Sequence, residues 1–151
     1  MTTSSSFLRI VFEKETCGRC GGCGNYSYCQ QYGTMCFGCN GTGKRLSRRG
    51  KIASQKVQAF KVDRYSVPAT EIEPGDRIVY SMLEGRKRAT VVAVKADPLN
   101  EGHVHIETKT GGLGVLVDSL VEKIPTVQQF ADEVIPYARR FKGATIEEIK
   151  P

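Results

Sequence analysis

The sequence predicts an α+β protein: a small cysteine-rich knuckle region, then a curled antiparallel sheet or barrel, with helices flanking the sheet. Three observations carry that prediction. All six cysteines of the 151-residue chain fall within the first 40 residues. From Val67 to Pro125, short β-branched runs alternate with turn signals at the spacing of an antiparallel meander. Two further stretches, one after Ser47 and one after Thr126, carry apolar residues at intervals of three and four. The pattern divides the chain into 1–46 (strand and knuckle), 47–66 (basic helix and linker), 67–125 (barrel) and 126–151 (C-terminal helix).

Phe7-Leu-Arg-Ile-Val-Phe12 is rich in strand formers and leads into the cysteine region. Residues 17–43 hold too few aliphatics for a core of their own, so something besides hydrophobic burial must order them. For residues 47–60 the expectation is a helix with Ser47 as N-cap and Ile52, Ala53, Val57 and Phe60 on its buried face. Gly50 weakens that helix by about 1 kcal/mol. In the barrel, Pro74-Gly75-Asp76 turns into a strand at Arg77–Tyr80, and further strands follow over 88–94, 103–110 and 115–117. Gly111-Gly112-Leu113-Gly114 reads as a hairpin turn before the last of these. Thr126 and Gln129 form a capping-box pattern opening the C-terminal helix, Pro136 kinks or splits it, and Gly143 can end it.

Composition excludes several classes. No apolar run approaches the roughly 20 residues that span a bilayer, so no membrane is expected. The start of the chain lacks a basic segment followed by an apolar one, which argues against a signal peptide. Cysteines in such a chain point to metal or redox chemistry in a cytoplasmic setting, not to a disulfide scaffold. Two histidines and unpatterned carboxylates give no acid–base constellation, so the expectation is a protein that is not an enzyme.

The cysteine region repeats one unit: Cys17-Gly-Arg-Cys20-Gly-Gly22-Cys-Gly24, then Cys36-Phe-Gly-Cys39-Asn-Gly41-Thr-Gly43. Both read C-x-x-C-x-G-x-G, with fifteen residues between Cys20 and Cys36. Two such pairs suit four thiolates around one structural Zn²⁺, with Cys17, Cys20, Cys36 and Cys39 as ligands. The glycines permit positive φ and bring N–H donors toward the sulfurs. Residues 17–43 resemble half of the cysteine-rich zinc domain of DnaJ-type chaperones, which uses this unit four times for two zinc ions. The resemblance implies one zinc site here. Without a His-Pro-Asp tripeptide or a preceding helical J-domain, it does not extend to J-protein activity. Residues 26–39 are also similar to small proteins of bacteriophages and bacteria, and residues 74–124 resemble an SH3-like barrel on their Pro-Gly-Asp-Arg-Ile-Val opening and Leu120–Ile124 close. Cys17, Cys20 and Cys23 alternatively supply three corners of an iron–sulfur cluster. Cys23 and Cys29 otherwise read as spare thiols, or as groups for ligand exchange or redox sensing.

The net charge of +6 is concentrated. Residues 44–64 hold eight basic side chains against Asp63 alone, a local charge of +7. Lys44, Arg45, Arg48, Arg49, Lys51 and Lys56 therefore make a candidate phosphate-binding surface, for DNA or RNA, beside the metal knob. Tyr26, Tyr28, Tyr32 and Phe37 add stacking surfaces for single-stranded bases, or simply cover the knob's small core. Arg86-Lys87-Arg88 extends the surface or forms a charged turn. His103 and His105 share one strand side and read as surface histidines more readily than as a metal pair. A protein partner docking on the barrel and C-terminal helix is the second reading. A chaperone-like or thiol-redox role is the third.

Overall fold

The computed structural model describes residues 7–26, 33–82, 85–97 and 99–149. Cys29, Tyr28 and Tyr32 lie outside them. The chain forms two compact units, one from residues 1–58 and 131–151, the other from 59–130. Helix α1 (Arg48–Tyr65) runs across the boundary. Among the described residues no helix is long and apolar enough to cross a membrane.

The second unit is a six-stranded antiparallel sheet. Its strands are β4 (Ser66–Pro68), β5 (Arg77–Met82), β6 (Gly85–Ala96), β7 (His103–Thr108), β8 (Gly111–Leu116) and β9 (Leu120–Lys123). They lie in the order β4-β9-β5-β6-β7-β8. The expected barrel is not closed, because β4 and β8 remain as edges. Strand alternation sets the core: Val104 and Ile106 turn inward beside Ile78, Val91 and Val121, while His103 and His105 take the outer side. Val92 is an extra residue between the pairs Val91↔Thr108 and Ala93↔Glu107. A bulge of this kind bends its strand and helps the sheet curl.

The Pro74-Gly75-Asp76 turn is tied at both ends. The Gly75 N–H donates to the Val91 carbonyl (2.9 Å) and the Val91 N–H to the Asp76 carbonyl (2.8 Å). The Asp76 carboxylate accepts from the Glu73 N–H (2.9 Å) and pairs with Lys123 (2.7 Å). The glycine run at 111–114 is not the hairpin turn expected of it. Lys109-Thr110 makes the turn, Thr108 pairs with Gly111, and all four residues of the run belong to β8. The Thr108 hydroxyl donates to the Gly111 carbonyl (2.6 Å), holding the turn two residues earlier than glycine content suggests.

In the first unit, β1 (Phe7–Phe12) pairs with β10 (Ala144–Ile149), and β2 (Lys14–Thr16) pairs with β3 (Lys44–Leu46). Strand β10 corrects the expectation of a helix over 126–151. Helical structure stops at Ala138 and comes as three short turns, Val127–Gln129, a π-turn at Phe130–Val134, and Ile135–Ala138. The Thr126–Gln129 capping box is present in full. A π-turn just ahead of Pro136 fits the ring's steric demand and missing N–H.

Ser47 caps α1 as expected, accepting from the Gly50 N–H (3.0 Å) while its hydroxyl donates to the Glu13 carboxylate (2.7 Å). Ala53 and Val57 are buried, but Ile52 is 47% exposed, so the inward face is narrower than its apolar spacing implies. Gly50 has a packing reason. A Cβ there would lie 2.1 Å from the Glu13 carbonyl oxygen, and one on Gly143 would lie 2.4 Å from the Arg49 carbonyl. Only glycines let these three backbone segments meet.

Candidate metal centre

Four cysteine sulfurs, those of Cys17, Cys20, Cys36 and Cys39, lie within 4.8 Å of one another. The Cys17–Cys36 and Cys20–Cys39 sulfur distances are 4.0 and 3.7 Å. A disulfide needs about 2.05 Å, so these pairs are not bonded. A tetrahedron with metal–sulfur bonds of about 2.3 Å has edges of about 3.8 Å, which matches. Cys17 and Cys36 are fully buried, Cys39 nearly so, and Cys20 partly. Four converging sulfurs without bonds between them are a donor set for one tetrahedral, thiophilic ion.

The two units are related residue for residue at an offset of 19, which makes the centre an approximate two-fold. The Cys36 N–H donates to the Gly24 carbonyl (2.8 Å), and the Cys17 N–H to that of Gly43 (2.9 Å). A Cβ on Gly24 would lie 2.2 Å from the Gly41 oxygen, and one on Gly43 2.1 Å from the Gly22 oxygen. Each half thus fits its last glycine under a carbonyl of the other. Gly24 and Gly43 have φ of 78° and 72°, in the left-handed region. The same relation pairs the β2–β3 ladder with the Asn25↔Met35 bridge at the opposite end.

Backbone N–H groups are aimed at the sulfurs. Gly43 donates to Cys39 Sγ at 3.2 Å. Burial pushes the Cys20 thiol up, but the Gly24 and Gly22 N–H groups and the Cys39 and Cys17 thiols outweigh it and bring the pKa down to about 6. Burial dominates at Cys36, where the Gly38 N–H opposes it and the other three cysteines add to it, and the thiol is pushed up to about 11. The four sulfurs titrate as one interacting group, and a bound cation would favour their thiolate forms.

Cys23 stands outside this set. It occupies the place that Thr42 has in the second unit, and it does the same work. The single Thr42 O–H proton is shared between the carbonyls of Cys39 (2.6 Å) and Lys44 (2.8 Å). The single Cys23 S–H proton is shared between those of Cys20 (2.9 Å) and Asn25 (3.0 Å). The iron–sulfur arrangement through Cys17, Cys20 and Cys23 is therefore not formed. His103 and His105 join no metal-ligating group of three among the described residues. Sequence reasoning missed the part played by Cys23, although its position opposite Thr42 in the repeated unit carries the signal.

The basic residues follow directly from the centre. Lys44 and Arg45 lie on β3, one residue past the Gly43 N–H that donates to Cys39, and Arg48, Arg49, Lys51 and Lys56 lie on α1. All six are exposed. Arg45 pairs with Glu15 at 2.9 Å, and the other five have no ion-pair partner among the described residues. Ile52 and Val62 of α1 are exposed as well, so the helix surface is mixed and not a purely basic stripe. Arg19 sits over the Tyr26 ring at 4.9 Å, while Met35 and Phe37 are about half exposed at the far end of the knuckle. Comparisons with family models, with curated proteins and with solved structures find no match to this chain.

Proposed function

We propose that this chain is a zinc-ordered nucleic-acid-binding protein that acts by binding and not by catalysis. Zn²⁺ is the ion that best suits four thiolates, three of them buried, in a closed tetrahedron with no open position, an arrangement typical of structural and not catalytic sites. The carrying observation is the direct covalent and hydrogen-bonded path from the centre to the cations. Gly43 donates to a ligand sulfur, Lys44 and Arg45 follow on β3, and Ser47 then caps the helix that bears Arg48, Arg49, Lys51 and Lys56. Five exposed cations without carboxylate partners attract phosphate, because no intramolecular pair must be broken first. Phe37, about half exposed, is the described aromatic of the knuckle available to stack on an unpaired base, whereas the Tyr26 ring is covered by Arg19. The strand order β9-β5-β6-β7-β8 supports the SH3-like reading of the sheet.

The test is a salt titration of zinc-loaded protein on duplex and single-stranded oligonucleotides. Five phosphate contacts give a slope of log affinity against log salt of about −4.5 on duplex, or about −3.5 on single strands. Neutralising Lys51 and Lys56 together lowers that slope by about 2. Absence of binding at low salt, or a slope unmoved by the double substitution, refutes the reading.

A further inference from the structure

The cysteine centre is two-fold in its backbone and lopsided in its side chains. Under the offset of 19, Gly18 answers to Phe37, Arg19 to Gly38 and Gly21 to Asn40. The sulfurs are lopsided too. Cys39 is 8% exposed, whereas its counterpart Cys20 is the one cysteine of the four that is not buried. Positions related by the two-fold share a backbone setting, so the side chains that break the symmetry account for the difference.

The first turn leaves Cys20 uncovered. Nothing lies within 4 Å of a Cβ built on Gly18 or on Gly21, so the space on both flanks of Cys20 is open. The second turn fills the same two places with Phe37 and Asn40. The one long side chain of the first turn, Arg19, crosses to the second. A Cβ on Gly38 would meet Arg19 Cδ and Cys17 Sγ, each at 3.4 Å, so the arginine stem and that sulfur lie against the same bare spot. The Arg19 guanidinium is held 4.9 Å from the centre of the Tyr26 ring, and Tyr26 packs on the buried cysteines. An arginine stem shields what lies beneath it while its head stays in water. Arg19 and Tyr26 thus cover the Cys17 flank, and nothing equivalent covers Cys20.

Taking the four sulfurs as a zinc centre, the reading on which this rests, we propose that Cys20 is the exchange corner of the site. It is the ligand that yields first to a donor from solution, a small thiol or a chelator. The donor's bond to the ion forms as the Cys20 bond breaks, and the freed thiolate takes up a proton from water. Access governs thiolate reactivity, and access selects this corner. The choice of half matters for the rest of the chain. Cys36 and Cys39 keep hold of the ion and the Gly43 N–H keeps its bond to Cys39 Sγ, so the segment leading to Lys44 stays in place during exchange.

The experiment uses the full zinc-loaded chain carrying Cys23→Thr and Cys29→Ser, which leaves only the four clustered thiols. Zinc content is measured first by elemental analysis. A limiting amount of N-ethylmaleimide is then added, and singly modified protein is mapped by mass spectrometry. The sulfur adds across the maleimide double bond, a proton from water completes the adduct, and the bond to the ion is lost. Cys20 should carry the label at least about tenfold more often than any of the other three. Gly18→Phe with Gly21→Asn copies the second turn onto the first. It should slow both that labelling and zinc transfer to a chromophoric chelator by at least about tenfold, with equilibrium zinc affinity within about twofold of the parent. Arg19→Gly should instead raise the labelling of Cys17. A zinc-loaded parent in which Cys17, Cys36 or Cys39 is labelled as often as Cys20 overturns the assignment. So does transfer at the parent rate from the Gly18→Phe, Gly21→Asn chain, or unchanged Cys17 labelling in Arg19→Gly. If the doubly substituted chain holds no zinc, the label map of the parent decides alone. A parent that loads no zinc overturns the underlying zinc reading as well.

Discussion

Gly43→Ala separates a designed metal centre from four cysteines that happen to be close. Gly43 has φ of 72°, and a Cβ there would lie 2.1 Å from the Gly22 carbonyl oxygen. The left-handed conformation alone costs alanine about 1–2 kcal/mol. The contact involves two backbones, so the segments must separate by about an ångström, enough to break the 3.2 Å bond from the Gly43 N–H to Cys39 Sγ. A hydrogen bond to a charged acceptor contributes about 1.5–3 kcal/mol. The sum is about 2.5–5 kcal/mol, or on the order of a hundred- to a thousand-fold in zinc affinity, at or above the usual effect of changing a group that supports a ligand. Competition against a chromophoric zinc chelator at neutral pH measures it. Gly18→Ala is the control, since nothing lies within 4 Å of a Cβ there and its φ is not positive. Gly21→Asn is a second control, because Asn40 already occupies the equivalent place with φ of 48°. Gly43→Ala binding zinc within about twofold of the parent, or Gly18→Ala weakened equally, refutes the reasoning.

Cys23→Thr should keep one bound zinc by elemental analysis and leave thermal stability unchanged or raised, because a hydroxyl already makes the same two bonds at Thr42, whereas Cys20→Ser should lose the metal. Chelating the metal should weaken oligonucleotide binding by at least about tenfold, the cost of reordering a residue or two around Lys44, as read by anisotropy at fixed salt. At Asp76, burial pushes the carboxyl up, but Lys123 and the Glu73 N–H outweigh it and hold the group below its usual range. The folded state thus holds the proton less tightly than the unfolded chain, so the contribution is complete above the unfolded pKa of about 3.9 and is lost as pH falls through the lower folded value. Asp76→Asn should therefore cost about 1 kcal/mol in denaturant unfolding at neutral pH, and progressively less as pH falls below the unfolded value.

The clustering of Cys17, Cys20, Cys36 and Cys39 was legible because cysteine spacing is itself the chemistry: two tight turns place sulfurs where an ion can gather them. Ser47 and the Thr126–Gln129 box were legible because caps are local. Strand β10 was not, since its partner β1 lies more than 130 residues away and nothing between Ala144 and Ile149 names it. Strands β2 and β3 are exposed at every position, so burial wrote no alternation into Lys-Glu-Thr or Lys-Arg-Leu. Glycine misled twice. The run at 111–114 serves as a bare strand edge and not as a turn, and Gly50 is no defect in α1 but the place where Glu13 passes beneath it.

The pairing of residues 7–12 with 144–149 has a consequence for synthesis. Residues 59–130 form an uninterrupted unit set within a discontinuous one. As the chain leaves the ribosome, β1 has no partner until residues 144–149 have emerged, while the inserted sheet can already be complete. The knuckle does not share that wait. Its four clustered cysteines span only Cys17 to Cys39, so an ion captured early would close a short loop there. Metal supply during translation, and not only afterwards, would then influence how much of the chain reaches its final form.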